Sequence, residues 1–393
     1  MKILIPHSWS PSVGDMAVLT ATVKMLEEAA PGAEVTALVS HPEFTKEKCD
    51  IKAKLERWPW PIPGARRSML EVASYPFILM GHFLSAVLYR LFKARVFIFN
   101  RRFEGSLSAF FDCDVVLSPG GDFINPKYGF VTTFSEFMIA KILGKRIVIC
   151  AQTIGPFTGL MHGRLAAAVL NLADLIIVRE EKTAALLEEI GVKKFHVTAD
   201  IVFTFPAPKK NPRKKRILIC AERLDSLRQR KHYAGYLRRL GKRIMDEFGC
   251  EVVYMPANRA DVDFQKEIIS GLGGKISAIG EVRPPGKVAE LASESEFLIS
   301  SRMHPIILGT LSATPFFAIG DSFKFEEVLG VFCNGCSLKI NELDDKSIET
   351  ILERIREREK LRKMIAAKLP DAREKAMENG SILRRSFKEW NLK

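Results

Sequence analysis

Arg302 and His304 stand two residues apart in SSRMHPIILGTLSATPFFAIG, which runs from Ser300 to Gly320. The apolar run EFLI precedes the pair and a helix-patterned apolar run follows it. Charged groups at the hinge between two buried elements are costly unless opposite charge meets them. Arg302 offers a planar fork of donors that fits a carboxylate or a phosphate. His304 can hold or release a proton near neutral pH, and the amides of a helix start add positive potential. This combination suits an anionic substrate whose reaction moves a proton. The same residues also fit a structural reading, with Arg302 paired to a carboxylate across a cleft between two domains and His304 packed as a neutral core residue.

Further candidates follow other apolar runs. KILIP leads to HSWSPSVGD, where Gly14 and Asp15 stand at a helix start; Asp15 reads either as an N-cap or as a carboxylate in a substrate loop. DVVL leads to SPGGDF. Its Gly120 and Gly121 permit close backbone approach to an anion or a sugar, and equally a tight turn. RIVIC leads to AQTIGPF, with Gln152 and Gly155. DLIIV leads to Arg179, which fits an anion site or a salt bridge to Glu180 or Glu181. HVT leads to Asp200, which also fits a loop cap, and RILIC leads to AERLDS with Glu222 and Arg223.

These positions share a context because the chain alternates strand and helix patterns. Its strands are short, continuous and apolar, as expected of parallel sheets covered on both faces. The expected fold is α/β, with two Rossmann-like domains and a cleft between them. The first covers 1–205, with an apolar insertion at 70–95. The proline-rich, charged stretch FPAPKKNPRKKR marks a linker at 206–215. The second domain covers 216–345, and a charged helical tail, expected to stop at Pro370, covers 346–393. In such sheets ligands bind beyond the carboxyl ends of the strands, where most of the candidates lie.

Composition narrows the function classes. The 47% hydrophobic and 27% charged content is that of a globular chain and excludes wholesale disorder. The net charge of +13 fits anionic substrates, an anionic membrane surface or nucleic acid. No RNA- or DNA-binding signature accompanies it, so no nucleic-acid partner is expected. The scattered cysteines, such as Cys150 and Cys220, read as buried reduced thiols of a cytosolic protein. Cys333 and Cys336 in CNGC are the exception, but a zinc site would want a second pair or nearby histidines, so no metal is expected. The chain opens on a strand pattern rather than a cleavable leader, which points to the cytoplasm.

Five segments together resemble the polysaccharide pyruvyl transferase family. They are GDMAVL, SPGGDF, AQTIGPF, VREEKTAALLEEIGV followed by VTADIVF, and SSRMHPIILGTLSATPFFAI. The resemblance covers most of the chain, and the last segment is its most specific part. It departs from the family pattern in SPSVGD, where the family often has an Asn before Gly-Asp, and in PGGD, where Asp122 takes the place of a third glycine. It implies a fold like that of GT-B glycosyltransferases. It also implies transfer of pyruvate from phosphoenolpyruvate to two hydroxyls of a sugar, giving a cyclic ketal and phosphate, with no cofactor and no metal. By resemblance, Arg179, Arg302, Met303 and His304 bind the donor. His304, Arg302 and Asp15 are the catalytic candidates; Gly14, Asp15, Gly120, Gly121, Gln152 and Glu222 are the acceptor candidates. Two other readings fit the residues: a glycosyltransferase of the same fold using a nucleotide-sugar donor, and a non-catalytic binder driven by charge.

VASYPFILMGHFLSAVLYRLF, from Val72 to Phe92, is apolar for the length of a membrane span. A spanning helix there would sever the first strands from the rest of their sheet. The expectation is therefore one or two helices docked on the inner face of the cell membrane, with Arg66, Arg67, Arg90, Lys93 and Arg95 on anionic headgroups. A buried hairpin or an oligomer contact would give the same pattern. Through residues 66–95 this would suit a lipid-linked sugar acceptor in the making of a cell-envelope polysaccharide.

Overall fold

The computed structural model describes residues 1–8, 11–58, 69–98, 104–126, 130–157, 160–209, 211–320, 325, 329–333 and 335–392. Arg66 and Arg67 lie outside them. The chain divides into two compact units: Met1–Ser10, Val18–Ile201 and Lys375–Lys393 form one, and Pro11–Ala17 with Val202–Glu374 form the other.

The first unit runs β1 (Lys2–Ser8), α1 (Val13–Ala29, whose first residues belong to the second unit), β2 (Glu34–Val39), α2 (Pro42–Lys48), β3 (Lys54–Arg57), α3 (Met69–Phe92) and α4 (Glu104–Asp112). It continues through β4 (Val115–Ser118), β5 (Gly121–Ile124), α5 (Phe130–Ile142), β6 (Arg146–Ile154), α6 (Leu160–Leu170), β7 (Leu175–Val178), α7 (Glu181–Glu189) and β8 (His196–Val197). The sheet order is β3-β2-β1-β4-β6-β7-β8, with β5 beside β6 and every pair parallel. Strands such as β4 and β7 are buried at every residue, which their unbroken apolar runs require when helices cover both faces.

The second unit runs β9 (Arg216–Cys220), α8 (Leu227–Phe248), β10 (Glu251–Tyr254), α9 (Val262–Ile269), β11 (Ile276–Ala278), α10 (Pro285–Ser293), β12 (Phe297–Ser300), α11 (Met303–Thr310), β13 (Phe316–Ile319), β14 (Ser337–Leu338), α12 (Asp345–Arg356) and α13 (Arg358–Glu389). Its parallel sheet has the order β11-β10-β9-β12-β13-β14. Strand order reverses between β1 and β4 in one unit and between β9 and β12 in the other. The carboxyl ends of these strand pairs are where open sheets of this kind bind ligands.

Three local expectations change. GDF, read as part of a loop, forms the start of β5. The tail helix continues through Pro370 to Glu389. Leu361, Ile365, Ala372, Ala376, Leu383 and Phe387 are buried along it, and this packing offsets the hydrogen bond that the proline removes. The described residues of the 206–215 stretch have no regular structure but are tied down. Arg213 donates to Ser295 O (2.7 Å) and Ser312 O (2.9 Å), and Lys214 Nζ donates to Glu294 (2.7 Å). Cys333 and Cys336 form a disulfide, while Cys49, Cys113, Cys150, Cys220 and Cys250 are buried thiols.

Candidate functional site

In the second unit, the register of β12 on β9 sets Ser300 opposite Cys220. The segment after β9 therefore runs beside the segment after β12. Ser301 N donates to Cys220 O (2.9 Å), and Glu222 N donates to Ser301 Oγ (2.5 Å). Ser300 closes the end of β12: its hydroxyl accepts from Arg302 N (3.0 Å) and donates to Arg302 O (2.7 Å). This turn seats Arg302 at the N-cap of α11 and His304 in its first turn, with Met303 buried between them.

Arg302 faces two carboxylates of its own unit. Nη1 lies 3.3 Å from Glu222 Oε1 and Nη2 lies 3.4 Å from Asp261 Oδ1. Asp261 is fully buried and also accepts from Arg223 N and Asn258 N (2.9 Å each). Glu222 is 36% exposed. Burial disfavours the Arg302 charge, but Asp261 and then Glu222 outweigh it and raise the guanidinium pKa. Arg302 Nε is buried and makes no hydrogen bond among the described residues. The arginine is thus held on one side by a buried acid and on the other by a partly exposed acid that an anionic ligand can displace.

The loop ahead of α1 completes this cluster. Ser12 bridges to Asn258, and Val13 N donates to Ala257 O (2.7 Å). Ser12, not Asp15, is the cap of α1: its hydroxyl accepts from Asp15 N (3.0 Å) and donates to Asp15 Oδ2 (2.5 Å). Gly14 lies against His304. A Cβ there would fall 3.0 Å from the imidazole Cγ and still closer to Nδ1. Gly14 and Asp15, read from the sequence as acceptor-side residues, therefore sit in the same unit as Arg302, Met303, His304 and Glu222.

The first unit holds the other candidates. Arg179, just after β7, is buried in a network of hydrogen bonds and ion pairs. Nε donates to Thr153 Oγ1 (2.8 Å) and to Glu180 Oε1 (2.9 Å), and Nη1 donates to Asp200 Oδ2. Burial opposes its charge, but Asp200 and Glu180 overcome this and raise its pKa. Of the two readings for Arg179, this geometry is the ion pair, with Asp200 as the added partner and Glu181 outside it.

Gly120 and Gly121 are buried and crowded. A Cβ on Gly120 would meet Ala151 O at 3.2 Å, and one on Gly121, whose φ is +130°, would meet the Phe123 ring at 2.8 Å. Tight packing at Gly120 and the positive φ of Gly121 each favour glycine without any ligand. Gln152 sits after a bulge in β6 marked by Ala151 at φ +49°. It donates to Ser118 Oγ and to Pro119 O (2.7 Å), leaving its buried Oε1 without a hydrogen bond among the described residues.

That glutamine belongs to a network that sequence reasoning missed, at the point where strand order reverses in the first unit. His7 Nδ1 is 2.6 Å from Glu136 Oε2, and His7 Nε2 is 2.9 Å from Ser118 Oγ. Trp58 Nε1 donates to Glu136 Oε1 (3.0 Å). All these groups are buried. Glu136 was hidden because it reads as one polar residue inside the apolar pattern of α5. Asp261 was missed likewise; its signal is Asn258-Arg-Ala-Asp261, a capping-box spacing at a helix entry. No group of three or more His, Cys, Asp or Glu residues suited to a metal occurs among the described residues.

Comparisons with known proteins agree on the fold. The chain is similar to the UDP-bound MnaA of S. aureus (17% identity, TM-score 0.65, covering 100% of this chain and 98% of that one). It is also similar to the UDP-GlcNAc 2-epimerase of Neisseria meningitidis bound to UDP-GlcNAc (15%, TM-score 0.66, 99% and 100%) and to MurG of Acinetobacter baumannii (12%, TM-score 0.54, 98% and 99%). At such identities the likeness carries the GT-B fold alone. No curated protein matches the chain by sequence. The family model for polysaccharide pyruvyl transferase matches residues 13–322, a span that takes in both the Gly14–Asp15 loop and the Arg302–His304 turn, and the chain belongs to that family.

Proposed function

We propose that this transferase moves pyruvate from phosphoenolpyruvate onto two hydroxyls of a sugar in a cell-surface polysaccharide or glycolipid precursor, forming a cyclic ketal and releasing phosphate. The observation that carries the reading is the Arg302–His304 turn. It joins a guanidinium, an imidazole and a helix N-terminus at the carboxyl end of the sheet, where strand order reverses. Phosphoenolpyruvate brings a carboxylate and a phosphate, both matched to an arginine fork. On binding, the donor displaces Glu222 from Arg302, while buried Asp261 keeps the guanidinium oriented.

The chemistry follows from the donor. A proton adds to the methylene carbon of the enol, and C2 becomes electrophilic. One sugar hydroxyl forms a bond to C2 and gives up its proton. The second hydroxyl then forms its own bond to C2, the C2–O bond to phosphate breaks, and that hydroxyl's proton also leaves. The sequence calls for a general acid and a general base. His304 serves as the acid or holds the phosphate, and Glu222, once freed from Arg302, or Asp15 accepts a hydroxyl proton.

The test is phosphate release from phosphoenolpyruvate, screened against lipid-linked and nucleotide-linked sugars, with His304→Ala and His304→Gln beside the wild type. Release that depends on acceptor and is lost in His304→Ala supports the reading. Activity kept in His304→Gln assigns phosphate binding to His304, and activity lost there assigns proton transfer. Thermal stabilisation by UDP-sugars but not by phosphoenolpyruvate would replace this reading with the nucleotide-sugar alternative.

A further inference from the structure

α3 is a single helix, and its described part carries an apolar stripe that faces solvent. Phe77, Met80, Leu84, Val87 and Leu91 are all exposed, Phe77 by 60% and Leu91 by 67%, and Phe92 follows at 71%. Their spacing of three and four residues keeps them on one side of the helix over about 20 Å. The opposite side is not free to meet lipid. His82, Ser85 and Ala86 are buried, Tyr89 stacks on Phe111 with ring centroids 4.3 Å apart, and Tyr75 is hydrogen-bonded to Thr132 of α5. A helix packed along one flank on α4 and α5 of the sheet unit would have to carry them into the bilayer to cross it, although Tyr75–Phe92 is long and apolar enough to do so. α5, packed against α3, exposes Val131 and Met138, and α6, packed against α5, exposes Leu165.

Charge decides what covers the stripe. Arg90 is the one charged residue between Tyr75 and Phe92, and Lys93 and Arg95 follow it. Lys93 lies 5.5 Å from the Tyr89 ring centroid, and Arg95 pairs with Asp112. A second copy of this chain packed with its stripe parallel would bring a second set of cations to the same end. An anionic surface would be attracted by the first.

We infer that the α3 stripe docks in the plane of an anionic membrane surface, with Phe77, Met80, Leu84, Val87 and Leu91 among the acyl chains and Arg90 and Lys93 on the headgroups. The leaflet fitting that charge is the cytoplasmic one. On the pyruvyl-transfer reading, from which this extension alone follows, the acceptor is a sugar carried on a lipid.

The experiment is co-sedimentation of the purified full chain at low salt. One set of vesicles mixes phosphatidylglycerol with phosphatidylcholine, and the other is phosphatidylcholine alone. The partners are a Phe77→Ser, Leu84→Ser, Leu91→Ser variant and an Arg90→Glu, Lys93→Glu variant. These side chains lie at the surface, and circular dichroism checks that both variants fold. The wild type should pellet with phosphatidylglycerol vesicles and bind pure phosphatidylcholine more weakly. The serine variant should bind at least about a hundredfold more weakly, since each buried large side chain is worth roughly tenfold. The glutamate variant should lose its preference for phosphatidylglycerol. A wild type that stays in the supernatant, or a serine variant that binds as well as the wild type, overturns the proposal. So does a wild-type dimer that ignores vesicles and becomes monomeric in the serine variant, because a second copy would then cover the stripe. Vesicle binding requires neither phosphoenolpyruvate nor turnover, so it can stand or fall apart from the transferase assignment.

Discussion

The imidazole of His304 occupies the space that a Cβ on Gly14 would need. The residue before Asp15 is therefore glycine so that the ring can sit where it does. In Gly14→Ala the ring is the movable partner, and it should swing away at small cost to the fold. The melting temperature should shift by no more than about 1 °C, which in a chain this long is roughly 1 kcal/mol. Turnover should fall nearly to that of His304→Ala. In a His304→Ala background the same change should do almost nothing, because the clash is gone. Additive losses of activity in the double variant would show that Gly14 acts through something other than His304.

Arg302 is tied to Asp261 in the fold, and the proposed reaction gives it the donor to bind. Arg302→Lys keeps the charge but loses the fork, and the affinity for phosphoenolpyruvate should drop by about two to three orders of magnitude. Arg302→Met leaves Asp261 buried beside no cation. Because the arginine side chain is 32% exposed, the stability cost should be reduced to about 1–3 kcal/mol. Adding Asp261→Asn should restore most of that stability and none of the activity. Recovery of both would mean that the arginine serves the fold alone. Melting curves and phosphate release on the three variants decide it.

The sequence made the Arg302–His304 turn legible because one strand, one polar turn and one helix lie next to each other in the chain. It also made both sheets legible, since buried parallel strands are continuous apolar runs. What it hid are partners distant in sequence. Asp261 lies 41 residues from Arg302 and Glu136 lies 129 from His7. Each reads locally as an ordinary polar residue, and only strand order brings it to its partner. The grouping of Gly14 and Asp15 with the second unit was hidden likewise, because it rests on a bridge from Ser12 to Asn258. Local patterning also misjudged Pro370, where burial on both sides of the proline overrides its tendency to end a helix.

Arg179 separates inference by resemblance from inference by geometry. Its guanidinium is fully enclosed by Thr153, Glu180 and Asp200. Arg179→Met strands two buried carboxylates and should destabilise the protein by about 3–5 kcal/mol. In the molecules that remain folded, KM for phosphoenolpyruvate should change by less than about threefold, because loss of uniform binding is what raises KM. A large rise in KM with unchanged melting temperature would return Arg179 to the donor site.

His82 ties the seat of α3 to pH. It is buried on the inner side of that helix, and burial pushes its imidazole down to about 4 from 6.5. The folded state therefore holds His82 neutral where the unfolded chain would already be protonated. The sign follows: stability is complete above pH 6.5, declines as pH falls from there towards 4, and is level below that. At 1.36 kcal/mol per pKa unit the loss approaches about 3 kcal/mol. His82→Leu replaces the titrating group with an apolar side chain of similar bulk. Urea unfolding of both proteins at steps between pH 7.5 and pH 4 measures the difference; these limits simply bracket the roughly 6.5-to-4 titration window. The stability of the wild type relative to the variant should fall across that window and be constant above it. Parallel stability curves for the two proteins across the whole range would show that the burial of His82 has no energetic link to pH.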